Sequence, residues 1–199
     1  SMGDRDYYLL DDVNTVKIRD AYKVYVNRLF TLAGYSAEEA AEAAKTVIDL
    51  ETEIAKVSVD RATRRDVHKN YNKMTVKEFT SRFDFIDWEV FFKETGICKS
   101  EELNASQVTF FEGLTKLLKN VSLEDQKDYL AFKLLNSAAN YLSDDFVNAS
   151  FDFYGKALQG KEENQPRWKS SLAVVNRSLA EAFGQMYVEK YFPASSNEK

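Results

Sequence analysis

Cysteine occurs once, at Cys98, so no intrachain disulfide can form and stability must come from packing. Histidine also occurs once, at His68. A zinc helix of the H-E-x-x-H kind needs two imidazoles four residues apart on one face, and a single histidine excludes it. Two prolines and seven glycines are too few for the many tight turns of an all-β sandwich, which favours helices. No run approaches the roughly 18–20 apolar residues of a membrane span, and glycine-rich phosphate loops are absent. The net charge of −5 is spread over interspersed acidic and basic residues. Nucleic acid is therefore not an expected partner, because phosphate-backbone binding needs a basic surface.

The 199 residues suffice for one large domain or two small ones. Helical spacing is plain from the start. Asp11-Asp12 precede Val16, Ile18, Tyr22, Tyr25, Val26, Leu29 and Phe30, and Gly34 ends the pattern. Ser36 with Glu39 reads as a capping box for a helix carrying Ala40, Ala44, Val47, Ile48, Leu50, Ile54 and Val57. Residues 60–74 read as a long connection. Thr75 with Glu78 is a second capping box, and Asp87 caps a short helix that Gly96 stops. A short strand is expected near Val108, then helical spacing from Phe110 to Leu118. Ser122 with Asp125 opens a long helix within 123–158, with Tyr129, Leu130, Leu134, Leu135, Ala138, Tyr141 and Leu142 on its apolar side. A last long helix follows Pro166 and fills 167–192, with Trp168 as a buried stability residue. The fold class is all-α. One helical domain is expected over 4–193, with Ser1-Met2-Gly3 read as an expression scar and linker.

No pair of residues makes an active site by spacing alone. His68 follows Arg64, Arg65 and Asp66 in a polar loop and reads as a surface histidine, since no second His or Cys accompanies it. Cys98 beside Lys99 lacks a base other than His68. The pairs Asp11-Asp12, Glu38-Glu39, Glu101-Glu102 and Asp144-Asp145 read as helix starts, where carboxylates complement the macrodipole. The aromatic run Phe146, Phe151, Phe153 and Tyr154 reads as core, with a substrate groove as the competing reading. Catalytic and metal residues are none, and substrate-binding residues stay unassigned.

Several stretches matter through their order. They are Arg5-Asp6-Tyr7-Tyr8-Leu9, Leu50-Glu51-Thr52-Glu53-Ile54-Ala55, Arg65-Asp66 and Tyr71-Asn72-Lys73-Met74-Thr75. FDFYGKAL at 151–158, Pro166-Arg167-Trp168-Lys169, and Ala182-Phe183-Gly184-Gln185-Met186-Tyr187-Val188-Glu189-Lys190-Tyr191-Phe192 follow. Together they resemble the neprilysin and endothelin-converting-enzyme family of zinc metallopeptidases, in its bacterial form. That resemblance implies two helical lobes around a closed cavity. The zinc lobe carries H-E-x-x-H, a downstream Glu ligand and an Asn-Ala motif, none of which matches a position here. The matched region resembles the non-catalytic cap lobe, which limits substrate size.

The resemblance further implies zinc in the intact parent, peptide substrates, a C-terminal catalytic lobe as partner, and a periplasmic or extracytoplasmic location. This chain alone is then expected neither to hold zinc nor to cleave peptides. Ser170-Ser171 stand where animal members place a cysteine, so their disulfide is not expected. An independent helical protein-interaction module is the competing function.

Overall fold

The computed structural model describes residues 1–96 and 100–192. The chain divides into two compact units, Ser1–Gln159 and Gly160–Lys199.

In the first unit, a one-turn α1 (Asp6–Leu9) leads to α2 (Val13–Leu32) and α3 (Ala37–Val57). Local chemistry sets both long helices. The Asp12 carboxylate accepts from the Asn14 and Thr15 N–H groups at 3.1 and 3.0 Å. Ser36 and Glu39 form the reciprocal capping box, which satisfies two of the orphan donors of α3. Gly34 takes φ +96° between the helices, a conformation that costs an L side chain strain. The buried faces of α2 (Ile18, Tyr22, Tyr25, Val26, Leu29, Phe30) and α3 (Ala40, Ala43, Ala44, Val47, Ile48) form the main core. Met2 is buried in the same core.

The connection after α3 contains more structure than its polar composition indicates. Asp60 caps α4 (Arg61–Arg65), and β1 (Lys73–Thr75) pairs antiparallel with β2 (Glu102–Asn104). The expected strand near Val108 therefore lies at 102–104, and Val108 instead opens α7 (Val108–Leu118). Between the strands are α5 (Val76–Arg82), with the Thr75–Glu78 capping box, and α6 (Trp88–Glu94), capped by Asp87. Phe79, Phe83 and Ala105 form a second buried cluster, packed by Trp88 and Phe111. Gly96 takes positive φ, and Cys98 falls outside the described residues.

The helix expected over 123–158 is interrupted. Helix α8 (Leu123–Ala138) ends in a tight turn, Ala139–Tyr141, and Leu142 is extended. Next comes α9 (Asp144–Ser150), which continues into a π-helical segment, Phe151–Ala157. The apolar side of α8 is also rotated from the expected one. Phe132 is fully buried, and Tyr129 and Leu135 pack on the core, whereas Leu130 and Leu134 are 66% and 69% exposed. The helix carries two apolar stripes, and α2 and α3 cover the one holding the larger aromatic.

The second unit holds α10 (Arg167–Ser178) and α11 (Ala180–Tyr191), separated by a non-helical Leu179 at φ −126°, ψ 34°. The expected helix over 167–192 is thus two helices. Neither contains a buried residue. Trp168, expected in the core, is 64% exposed, with the Lys169 ammonium 5.4 Å from its ring centroid.

Candidate functional site

The most unusual polar group in the first unit is Glu51. Its place on the inward face of α3 follows from the spacing of Val47, Ile48, Glu51 and Ala55, all buried. A carboxylate so placed needs donors, because burying an unpaired charge is costly. Two arrive from neighbouring helices: the Tyr8 and Tyr22 hydroxyls each donate to Glu51 Oε2 at 2.7 Å. Tyr8 in turn accepts from the Met2 N–H at 2.9 Å. Burial first, and then the Glu51 charge, pushes both phenols well above their ordinary ionisation range. Tyr129 is pushed up to about 12 by the same two causes. The bonds tie α1, α2 and α3 together.

Glu51 Oε1 differs from Oε2. It finds no hydrogen-bond donor among the described residues. The Ser1 nitrogen lies 3.7 Å away, close enough for charge attraction and too far for a hydrogen bond. Burial draws that amine below its usual value, partly opposed by Glu51. Glu51 is among the residues lining a cavity of about 270 Å³, together with Tyr8, Ile54, Arg64, Phe110, Tyr129 and Lys133.

Most cations around this cavity already have partners. Arg5 donates to the Ser58 carbonyl at 2.5 Å. Arg61 and Arg64 pair with the buried Asp4. The Asp6 N–H, and then Arg61, hold the Asp4 carboxyl below the usual carboxylate range. The Lys133 ammonium stands 5.8 Å from the Tyr129 ring centroid.

His68 is exposed, its N–H donating to Asp66 Oδ1 at 3.0 Å. Asp12 caps α2, while Glu38-Glu39 and Asp144-Asp145 occupy the first turns of α3 and α9. The pair Glu101-Glu102 departs from this pattern, because Glu102 belongs to β2 and pairs with Lys73 across the ladder. Phe153 is buried and stacks on Tyr25 at 5.4 Å, with Phe146 and Tyr154 packed on the same core. Sequence reasoning quoted Tyr8 and Glu51 within its motifs without joining them. A lone acidic residue among buried helical positions was the available signal.

Among the described residues no group of three or more His, Cys, Asp or Glu is placed to hold a metal ion. With one histidine in the whole sequence, these residues do not fit the zinc ligand set of a peptidase.

The chain belongs to peptidase family M13, whose N-terminal domain model matches residues 1–199. It is 30% identical to an endothelin-converting enzyme homolog of Locusta migratoria over 203 residues, 96% of this chain and 28% of that protein. It is 27% identical to membrane metallo-endopeptidase-like 1 of Mus musculus over 209 residues, 98% of this chain and 27% of that one. In structure it is similar to Mycobacterium tuberculosis zinc metalloprotease Zmp1 in its open state, with a TM-score of 0.90 and 27% identity. That match covers 98% of this chain and 30% of Zmp1. The chain thus spans less than a third of the relatives it matches. No helix among the described residues is long and apolar enough to cross a membrane.

Proposed function

We propose that residues 4–193 act as one non-catalytic cap lobe of a neprilysin-like zinc metalloendopeptidase, limiting the size of peptides that reach the catalytic lobe. The observation that carries this reading is the match of the family's N-terminal domain along the whole chain, in a sequence without a zinc ligand set. Zinc and the hydrolytic chemistry then belong to the remainder of the parent polypeptide. The exposed apolar stripe of α8, with Leu123, Leu130 and Leu134, adds support, because it suits a surface facing further protein or a bound peptide.

The test uses the intact parent polypeptide and peptides of increasing length beside a folded protein substrate. Leu130→Trp and Leu134→Trp add bulk to the α8 face without touching the core. The expected result is a shorter length limit with hydrolysis of the shortest peptide unchanged. An unaltered length limit in folded variants overturns the gating role. For the chain alone, stoichiometric zinc retained through mild chelation would contradict the assignment of the metal to the missing part.

The competing reading, an independent helical interaction module, draws on the exposed Trp168, Tyr187, Tyr191 and Phe192 of the second unit. A coding sequence that runs past Lys199 into an H-E-x-x-H helix would exclude it.

A further inference from the structure

We propose that the exposed apolar faces of α10 and α11 dock onto the catalytic remainder of the parent polypeptide, which makes this helix pair the joint of the cap; this rests on the cap reading above. In α10, Trp168, Leu172 and Val175 follow one another at steps of four and three residues. In α11, Phe183, Tyr187 and Tyr191 follow at steps of four. Each series therefore lies on one helical face. All six side chains are exposed. The comparable apolar series of α2 and α3 are buried in the main core.

Each helix is 12 residues long and contains no buried residue. An isolated helix of that length is marginal in water, so its apolar face needs a cover from further protein. Length and continuity say which protein. The chain is matched over 96% and 98% of its length by relatives of which it makes up only 28% and 27%. The matching family model is the N-terminal domain, so the rest of such a relative follows this region. Helix α11 ends at Tyr191, close to Lys199. Covalent linkage through so short a segment holds the remainder at an effective concentration on the order of millimolar. A second copy of the chain matches that only in millimolar solution.

The experiment compares amide hydrogen exchange in the intact parent polypeptide and in the 1–199 chain, both dilute, with α3 as the internal reference. The amides of α10 and α11 are expected to exchange at least about tenfold more slowly in the parent, at a rate independent of protein concentration. In the parent, Leu172→Asp and Tyr187→Asp should remove that added protection. Ser170→Asp, two positions from Leu172 and so on the opposite side of α10, should keep it. Urea unfolding of the 1–199 chain should be unchanged by Leu172→Asp, because that side chain meets no core there.

Equal exchange of α10 and α11 in the two proteins overturns the joint. Protection in the parent that rises with concentration assigns the face to a second copy and overturns it too. So does protection that appears only when vesicles of phosphatidylglycerol and phosphatidylcholine are added, since the occupant is then lipid. The two unaltered proteins decide the matter even if an aspartate variant fails to fold. Exchange is read without peptidase activity, so the two readings fail separately. Gained protection with an unaltered peptide length limit in Leu130→Trp and Leu134→Trp removes the gating role and leaves the joint. A shortened limit without gained protection removes the joint alone.

Discussion

Tyr22 is completely buried, donates to Glu51 and lies within 6.4 Å, ring to ring, of Tyr8, Tyr25, Phe132 and Phe153. Tyr8 and Tyr25, like Tyr22, have burial as the main cause of an ionisation value raised above 10. In the unfolded chain these phenols ionise near pH 10. Below that pH both states hold the proton and stability is intact. Above it only the unfolded state releases the proton, so stability falls as pH rises. We therefore expect these three of the eleven tyrosines to ionise only with alkaline unfolding, seen as a late cooperative rise in phenolate absorbance that coincides with loss of helical circular dichroism and follows the gradual titration of the exposed tyrosines. Complete ionisation of all eleven ahead of unfolding would contradict their burial. The two stripes of α8 give a second residue-scale prediction. Phe132→Ala should cost about 3–5 kcal/mol in urea denaturation, whereas Leu130→Ala on the exposed side should stay within about 0.5 kcal/mol.

Between elements, α7 packs against the end of α3 at Gly113. A Cβ built on Gly113 would lie 2.6 Å from the Val57 Cβ, so the glycine permits the crossing. Gly113→Ala is expected to destabilise the chain by about 1–3 kcal/mol, the usual penalty for overpacking. Val57→Gly, which removes the clashing Cβ, should recover part of that loss in the double variant, measured as a coupling energy in a mutant cycle. Purely additive effects would mean that α7 moves freely against α3. Capping was legible here in advance because it is local: Asp12, Ser36, Thr75, Asp87 and Ser122 all accept from backbone N–H groups two or three residues on. The breaks at Leu142 and Leu179 were not. Neither residue is a proline or glycine, and the apolar spacing continues across both positions.

For the whole molecule, the two units differ in how they are held. The first holds two clusters of buried side chains, and α10 and α11 contain no buried residue. Amide hydrogen exchange of the 1–199 chain should be slowest in α2 and α3 and fastest, among the helices longer than ten residues, in α10 and α11. Equal protection of α3 and α11 would sink this expectation. Exposed Leu172, Phe183, Met186 and Tyr187 also predict self-association that rises with concentration, measurable by sedimentation.

By itself the sequence determined the helical class, the caps, the faces of α2 and α3, and, through its single histidine, the exclusion of an H-E-x-x-H helix. These depend on neighbours within one or two turns, or on composition alone. Only the tertiary structure decided which stripe of α8 is buried, that Trp168 lies outside any core, and that Tyr8, Tyr22 and Glu51 meet. The reason is that burial depends on what else competes for the same surface. Phe132 and Leu130 are equally apolar in a helical pattern, and only packing of α8 against α2 and α3 separates them. Glu51 likewise reads as one more surface carboxylate until residues 29 and 43 positions away bring their hydroxyls to it.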